Sequence, residues 1–180
     1  MTASLMTAIF PMMIKRTFNK KKPEVLFLLL VAAALIAAAV VSLFFIRVAR
    51  VDGASMDDTL NAGDIILLEQ CSYRKEEPQR GDIIAFCKKD VARTLIIKRI
   101  AALPGETVEI LHGTLYINGI SFPEYSGFPE DMPPCRVEEN SYFVLGDNIA
   151  QSVDSRAWEQ PFVRREEIRG RYWLRIGSFG

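Results

Sequence analysis

Residues 25–46 are apolar throughout except for Ser42, and that one stretch limits what the rest of the chain can be. At 1.5 Å of rise per helical residue it spans about 33 Å, enough to cross a typical hydrocarbon core. A core helix of a globular domain should carry a polar stripe at helical spacing, and this run has none. A cleaved secretory signal would have an apolar core of only about 7–15 residues, so the small residues Ala37-Ala38-Ala39 do not make the run a signal. Its length and pattern predict an uncleaved transmembrane helix. Lys15, Arg16, Lys20, Lys21 and Lys22 precede it with no acid among them, whereas only Arg47 and Arg50 follow it closely. The positive-inside bias then predicts residues 1–24 in the cytoplasm and residues 47–180 outside it. A second apolar stretch, 5–14, is too short to span and contains Pro11, so it is expected on the membrane surface or without fixed structure. Met6, Met12 and Met13 leave the start of translation open.

Beyond the span the balance of charge turns acidic. From residue 51 onward 15 basic residues stand against 21 acidic ones, a formal net charge of −6. That argues against nucleic acid as the main partner. Cys71, Cys87 and Cys135 lack the close spacing of a zinc or redox motif. Three free thiols, or one disulfide formed on the oxidising side of a membrane with one thiol left over, are both open.

The hydrophobic pattern changes as well. Residues 65–68, 82–86, 94–100, 107–111, 114–117 and 142–145 are short apolar or β-branched runs bounded by Gly, Pro, Asn or Asp, which predicts strands. His112-Gly113 and Asn118-Gly119 read as tight hairpin turns. Residues 121–134, rich in Pro, Gly and acids, read as an irregular excursion between strands. No run outside the span has helix length with helical period. The prediction is an all-β domain built by non-local pairing around one main core.

Two side chains in this domain are candidates for chemistry. Ser55 follows the small residues Gly53-Ala54, which leave room for a substrate backbone beside it. A serine needs a base to take its proton. The one histidine, His112, sits in a predicted turn and is a poor candidate. Lys98 is a better one. In an extended segment it shares a face with Ile96 and Ile100, while Arg99 faces the other way with Leu95 and Ile97. Desolvation on an apolar face lowers the pKa of an amine and makes its free base accessible. Taken singly, each residue has a bland reading, an ordinary loop serine and a lysine snorkelling from a half-buried strand.

Five segments occur in a fixed order: the apolar run, Gly53-Ala54-Ser55-Met56-Asp57-Asp58-Thr59-Leu60, Arg80-Gly81-Asp82-Ile83-Ile84-Ala85-Phe86, Ile96-Ile97-Lys98-Arg99-Ile100, and Gly146-Asp147-Asn148 with Ser152-Val153-Asp154-Ser155-Arg156. Together they resemble the type I signal peptidase family, membrane-bound Ser/Lys endopeptidases that remove signal peptides. The resemblance implies a mainly β, antiparallel two-part fold of the signal peptidase type, with a small insertion at roughly 111–142. It implies Ser55 as nucleophile and Lys98 as general base. Ser152 would hydrogen-bond and orient Lys98, and Asp154 with Arg156 would form an ion-paired support, Arg99 being a further candidate member. Met56 would pack near the substrate groove, or fill the core, and the two roles are compatible. No metal or organic cofactor is implied. The implied partners are secretory preproteins and membrane lipid.

The chain departs from the family pattern at three places. Gly53 stands where many bacterial relatives have a second serine that adds an oxyanion donor; the Ser55 backbone N–H is one donor, and a backbone group or a water can take the serine's place, which leaves the number of donors open. Ile149-Ala150 replaces a more polar pair. Asp58 stands where the family usually has Pro; the expectation is an outward-facing Asx-type turn residue that proline could replace without loss. Two rival readings carry the same segments: a dedicated processing peptidase for a pilin-like or conjugation substrate, and an inactive membrane-anchored scaffold. The self-cleaving repressors share Ser/Lys chemistry, but need a DNA-binding motif where this chain has its span.

Overall fold

The computed structural model describes residues 23–88, 91 and 94–178, without the side chains of Leu43 and Phe44. The apolar stretch 5–14 and the basic cluster 15–22 lie outside the described residues. The chain divides into two compact units, Met1–Ala39 and Val40–Gly180.

Helix α1, Pro23–Phe45, is 23 residues long. Proline suits a first helical position because the N–H it lacks would have had no partner there, and Glu24 in the first turn complements the positive end of the helix dipole. Among the described residues it is the one helix long and apolar enough to cross a membrane, and none of its most apolar window is buried. It ends one residue before the predicted limit. Ile46 belongs to the first strand, because Ile46-Arg47-Val48-Ala49-Arg50 alternates with period two rather than extending the uniform apolar run.

The second unit holds two antiparallel sheets. The larger is built from β1 (Ile46–Arg50), β2 (Asp64–Glu69), β3 (Ile83–Phe86), β4 (Ile96–Ala102), β9 (Ser141–Leu145), β10 (Phe162–Arg164) and β11 (Ile168–Ser178), in the order β1-β2-β11-β3-β4-β9-β10. The smaller is built from β5 (Thr107–Leu111), β6 (Thr114–Ile117), β7 (Ile120–Ser126) and β8 (Met132–Arg136), in the order β7-β6-β5-β8. The chain is therefore mainly β and antiparallel. The second sheet occupies Thr107 to Arg136, so the expected insertion limits of 111 and 142 fall at the end of β5 and inside β9.

Both expected hairpins are present. His112 and Gly113 have φ of 51° and 72°, and Asn118 and Gly119 have 52° and 77°. Positive φ at both central residues is what the tightest two-residue β-turn requires. The excursion expected at 121–134 is a correction: it contains β7 and β8. Pro123, Pro133 and Pro134 masked them, yet proline is tolerated where a strand has a free edge, and these are the two outer strands.

The single expected core is also revised, to three buried clusters. One joins the two sheets, packing Ala101, Ala102, Phe143 and Leu145 of the large sheet against Val108, Ile110, Leu115 and Ile117 of the small one. Another gathers Met56, Leu60, Ile66, Leu68, Ile83 and Ala85. The third gathers Ile84, Phe86, Ile100, Tyr142, Val144 and Trp158. Cys71, Cys87 and Cys135 are all free thiols.

Candidate active site

The loop that joins β1 to β2 carries Ser55. Its ends continue the ladder, with Val51 N–H donating to the Asp64 carbonyl and Gly63 N–H to the Val51 carbonyl, each at 2.9 Å. Inside it the Met56 carbonyl accepts from Thr59 N–H at 3.1 Å and Leu60 N–H at 2.8 Å. Met56 and Leu60, 1% and 0% exposed, drive this turn into the cluster below and leave Ser55 at the rim. Burying two such side chains contributes roughly 3–6 kcal/mol, which fixes the backbone under the serine. Met56 also lines the cleft beside Ser55.

Asp58 has φ of 76° and is exposed. Its outward position agrees with expectation, but its backbone does not. A proline holds φ near −65°, so the turn after Ser55 is not one that proline could replace without loss.

Lys98 comes from β4, paired with Ile84 of β3. Alternation along β4 sends Ile96 and Ile100 into the cluster around Phe86 and Tyr142, and Leu95 and Ile97 into the one around Met56. Lys98 is 3% exposed. Its Nζ lies 2.5 Å from Ser55 Oγ, so an ammonium there donates to the hydroxyl, while a free amine accepts from it. Burial pulls the Lys98 pKa below its ordinary value; Asp154 and then Asp147 draw it back up, and Arg156 pushes it down. Desolvation is the largest of these effects. An exposed lysine would remain an ammonium at neutral pH; burial moves Lys98 toward its free base, and its amine lies within reach of a serine hydroxyl.

The segment after β9 encloses the pair. Asn148 N–H donates to the Ser55 carbonyl at 3.1 Å. A Cβ at Gly146 would run into Ser152 Oγ and the Ser55 carbonyl oxygen, so glycine is required here by close approach. Asp154, fully buried, accepts from Gly146 N–H at 3.0 Å and from Arg156 through both carboxylate oxygens, at 2.8 and 2.9 Å. Arg156 also donates to the Ile149 and Ser152 carbonyls, each at 3.1 Å. A forked, fully hydrogen-bonded pair satisfies a carboxylate that would be costly to bury alone.

Two expectations change. Ser152 Oγ is buried without a hydrogen-bond partner among the described residues; it stands against Gly146 and does not bond Lys98. Arg99 does not join Asp154. It grips Asp147 at 2.9 and 2.6 Å and donates to the Gly81 carbonyl at 2.9 Å. Asp147 lies in the Gly146-Asp147-Asn148 segment, but the resemblance implies no role for it. The opposite charges of Arg99 and Asp147 were the available signal.

A cleft of about 260 Å³ opens beside Ser55 and Lys98, lined also by Arg50, Val51, Asp52, Met56 and residues 94–97. A larger depression of about 560 Å³, with Cys87, Lys88, Glu138 and Arg164 in its lining, contains neither Ser55 nor Lys98. His112 is exposed in its hairpin.

One apolar helix followed by paired antiparallel sheets, with a buried lysine amine on a serine hydroxyl, defines a membrane-anchored β protein with a Ser–Lys dyad. The chain belongs to the signal peptidase family, peptidase S26, whose model matches residues 24–176. It is 37% identical over 141 residues to a probable signal peptidase I-2 of Synechocystis sp., covering 73% of this chain and 64% of that protein. This chain thus spans somewhat less than two thirds of that relative. It is 37% identical over 153 residues to a signal peptidase I of Leptolyngbya laminosa, covering 76% of this chain and 74% of the relative. A crystal structure of a signal peptidase I from Enterococcus faecalis V583 is 35% identical, with a TM-score of 0.46 over 53% of this chain and 97% of that one.

Proposed function

We propose that this chain is a type I signal peptidase, a single-pass serine endopeptidase that cleaves signal peptides from secretory preproteins at the extracytoplasmic membrane face. The observation that carries the reading is the 2.5 Å approach of a buried Lys98 amine to Ser55 Oγ beside an open cleft. An inactive scaffold would have no use for an amine held in this way.

In the proposed reaction the free Lys98 amine takes the Ser55 proton as Oγ attacks the scissile carbonyl. The Ser55 backbone N–H faces the developing oxyanion. The Lys98 ammonium then protonates the leaving amine, and Lys98 activates the water that hydrolyses the acyl-enzyme. Asp154 with Arg156, and Asp147 with Arg99, hold the loop around the pair. Met56 forms part of the floor on which substrate lies. The proposed division is residues 1–24 in the cytoplasm, 25–46 through the membrane, and 47–180 as the extracytoplasmic peptidase domain, with its small insertion near 111–142. Membrane lipid is then a partner of the span, and nucleic acid is not a partner.

The test is cleavage of a preprotein by the purified, detergent-solubilised chain. Ser55→Ala and Lys98→Ala should each abolish cleavage while the protein stays folded, and His112→Ala should retain it. A dead His112→Ala beside an active Lys98→Ala would remove the Ser/Lys reading.

A further inference from the structure

Among the described residues the hydrogen bonds of Arg156 all go to acceptors within residues 149–156, its own stretch of chain. They bind the loop to itself, while Ser155 ties it to Val144 of β9 and Asp154 ties it to Gly146; none of these bonds reaches the small sheet. The ring of Phe128 meets Arg156 from another element. The guanidinium carbon lies over that ring, 5.0 Å from its centroid. Phe128 is 6% exposed and belongs to the cluster that joins the two sheets. It is held in place from the small sheet: Gly127 N–H and Phe128 N–H both donate to the Gly113 carbonyl, at 2.8 and 3.2 Å, and Gly113 N–H donates to Asp131 at 3.3 Å.

We infer that Phe128 is a positioning residue for the Ser55–Lys98 pair: its ring face clamps the Arg156 guanidinium onto Asp154 and so couples the small sheet to the site. This inference rests on the Ser/Lys reading above. The path runs from the His112-Gly113 hairpin through Phe128 to Arg156, then Asp154, and on to Gly146 and Lys98. An aromatic face attracts a cation through the negative centre of its quadrupole. The strength of that attraction grows where water is excluded, and the Arg156 side chain is only 16% exposed.

The charged groups that act on Lys98 are Asp154 and Arg156 from this loop, and Asp147 from the turn after β9. Asp147 is itself compensated by Arg99. A loosened Arg156 leaves the Asp154 charge less compensated. The ammonium form of Lys98 is then favoured, and the free base is reached only at higher pH. Phe128 therefore bears on the protonation of a base that it does not touch.

The experiment follows the pH dependence of kcat/KM for the full chain in detergent, with a peptide carrying a small-residue signal cleavage site. Phe128→Leu should move the acid-side limb alkaline by roughly half a pH unit, a loss of about threefold below the limb. Phe128→Tyr, which keeps the ring face, should behave as the parent. Pentafluorophenylalanine at 128 keeps the shape and reverses the quadrupole, so it should shift the limb as leucine does even if Phe128→Leu fails to fold. A limb that stays put in the folded pentafluoro variant, with only a lower Tm, overturns the inference and leaves Phe128 as core filling. If Lys98→Ala, run alongside, still cleaves, the Ser/Lys reading falls and takes this inference with it. If Lys98→Ala is inactive and the limb is unmoved, this inference alone falls.

Discussion

An amine that is 3% exposed carries a pH-dependent penalty into the folded state. Burial lowers the Lys98 pKa on folding. Between the lowered folded value and the ordinary unfolded one the unfolded chain binds more protons, so stability rises with pH across that window. Below the folded value the penalty is present in full. Replacing the amine by an apolar chain of similar length removes it. Lys98→Met should abolish cleavage yet raise Tm near neutral pH by roughly 2–4 °C, the equivalent of about 1 kcal/mol in a chain of this size. The gain should shrink as pH approaches the unfolded lysine value, which melts at neutral and alkaline pH would check. Asp58 gives a second prediction, opposite to what the family pattern implied. At φ of 76° it cannot become proline without losing the turn that Met56 closes. Asp58→Pro should destabilise by roughly 1–3 kcal/mol and reduce kcat/KM, whereas Asp58→Gly should be neutral or mildly stabilising. Denaturant melts of the two variants separate these outcomes. Ser55 and Lys98 were both legible in the sequence because their segments are distinctive. The hand of the turn beside them was not, because a residue name does not specify a dihedral angle, and Asp58 departs from the proline that the resemblance implies.

Whole elements were legible where their apolar residues alternated and their ends were marked, as in β5 and β6 with His112-Gly113 between them. They were hidden where that pattern was interrupted. In β7 and β8 prolines broke it at free edges, and in β11 the residues Arg169, Gly170, Arg171 and Arg175 interrupt a strand of 11 residues whose register shifts twice against β2. Edge position and bulges are tertiary facts, and one strand's own sequence does not contain them. The segment after β9 shows the same limit within the site. Its Gly-Asp-Asn run was visible, but Gly146 does not owe its identity to a left-handed backbone. It is glycine because Ser152 and the Ser55 carbonyl crowd its Cα. Gly146→Ala should therefore push both away from the cleft, lowering kcat/KM by about 100-fold or more while destabilising by roughly 1–3 kcal/mol. Activity retained within a few-fold, in a protein of unchanged Tm, would mean that the loop relaxes without disturbing Ser55.

At the scale of the molecule the strand order departs furthest from anything the sequence displays. The last strand, β11, lies between β2 and β3, so the large sheet is complete only when the C-terminal residues reach its middle. Alternation identifies a strand and its buried face but not its neighbour. Orientation across the membrane is instead a matter of charge outside the described residues, and it gives the prediction proper to this scale. A reporter fused after Gly180 should read extracytoplasmic and one at the N-terminus cytoplasmic; the reverse pattern would place the proposed site on the wrong side for secretion. Helix α1 ends at Phe45, and β1 begins at Ile46 with no loop between them. Ser55 lies ten positions beyond Phe45, and a chain of ten residues reaches about 35 Å even when fully extended. On the proposed topology the span would act as a leash of fixed length. Whatever side chains a polypeptide offers, a bond held farther than that from the membrane would be beyond the reach of the proposed nucleophile.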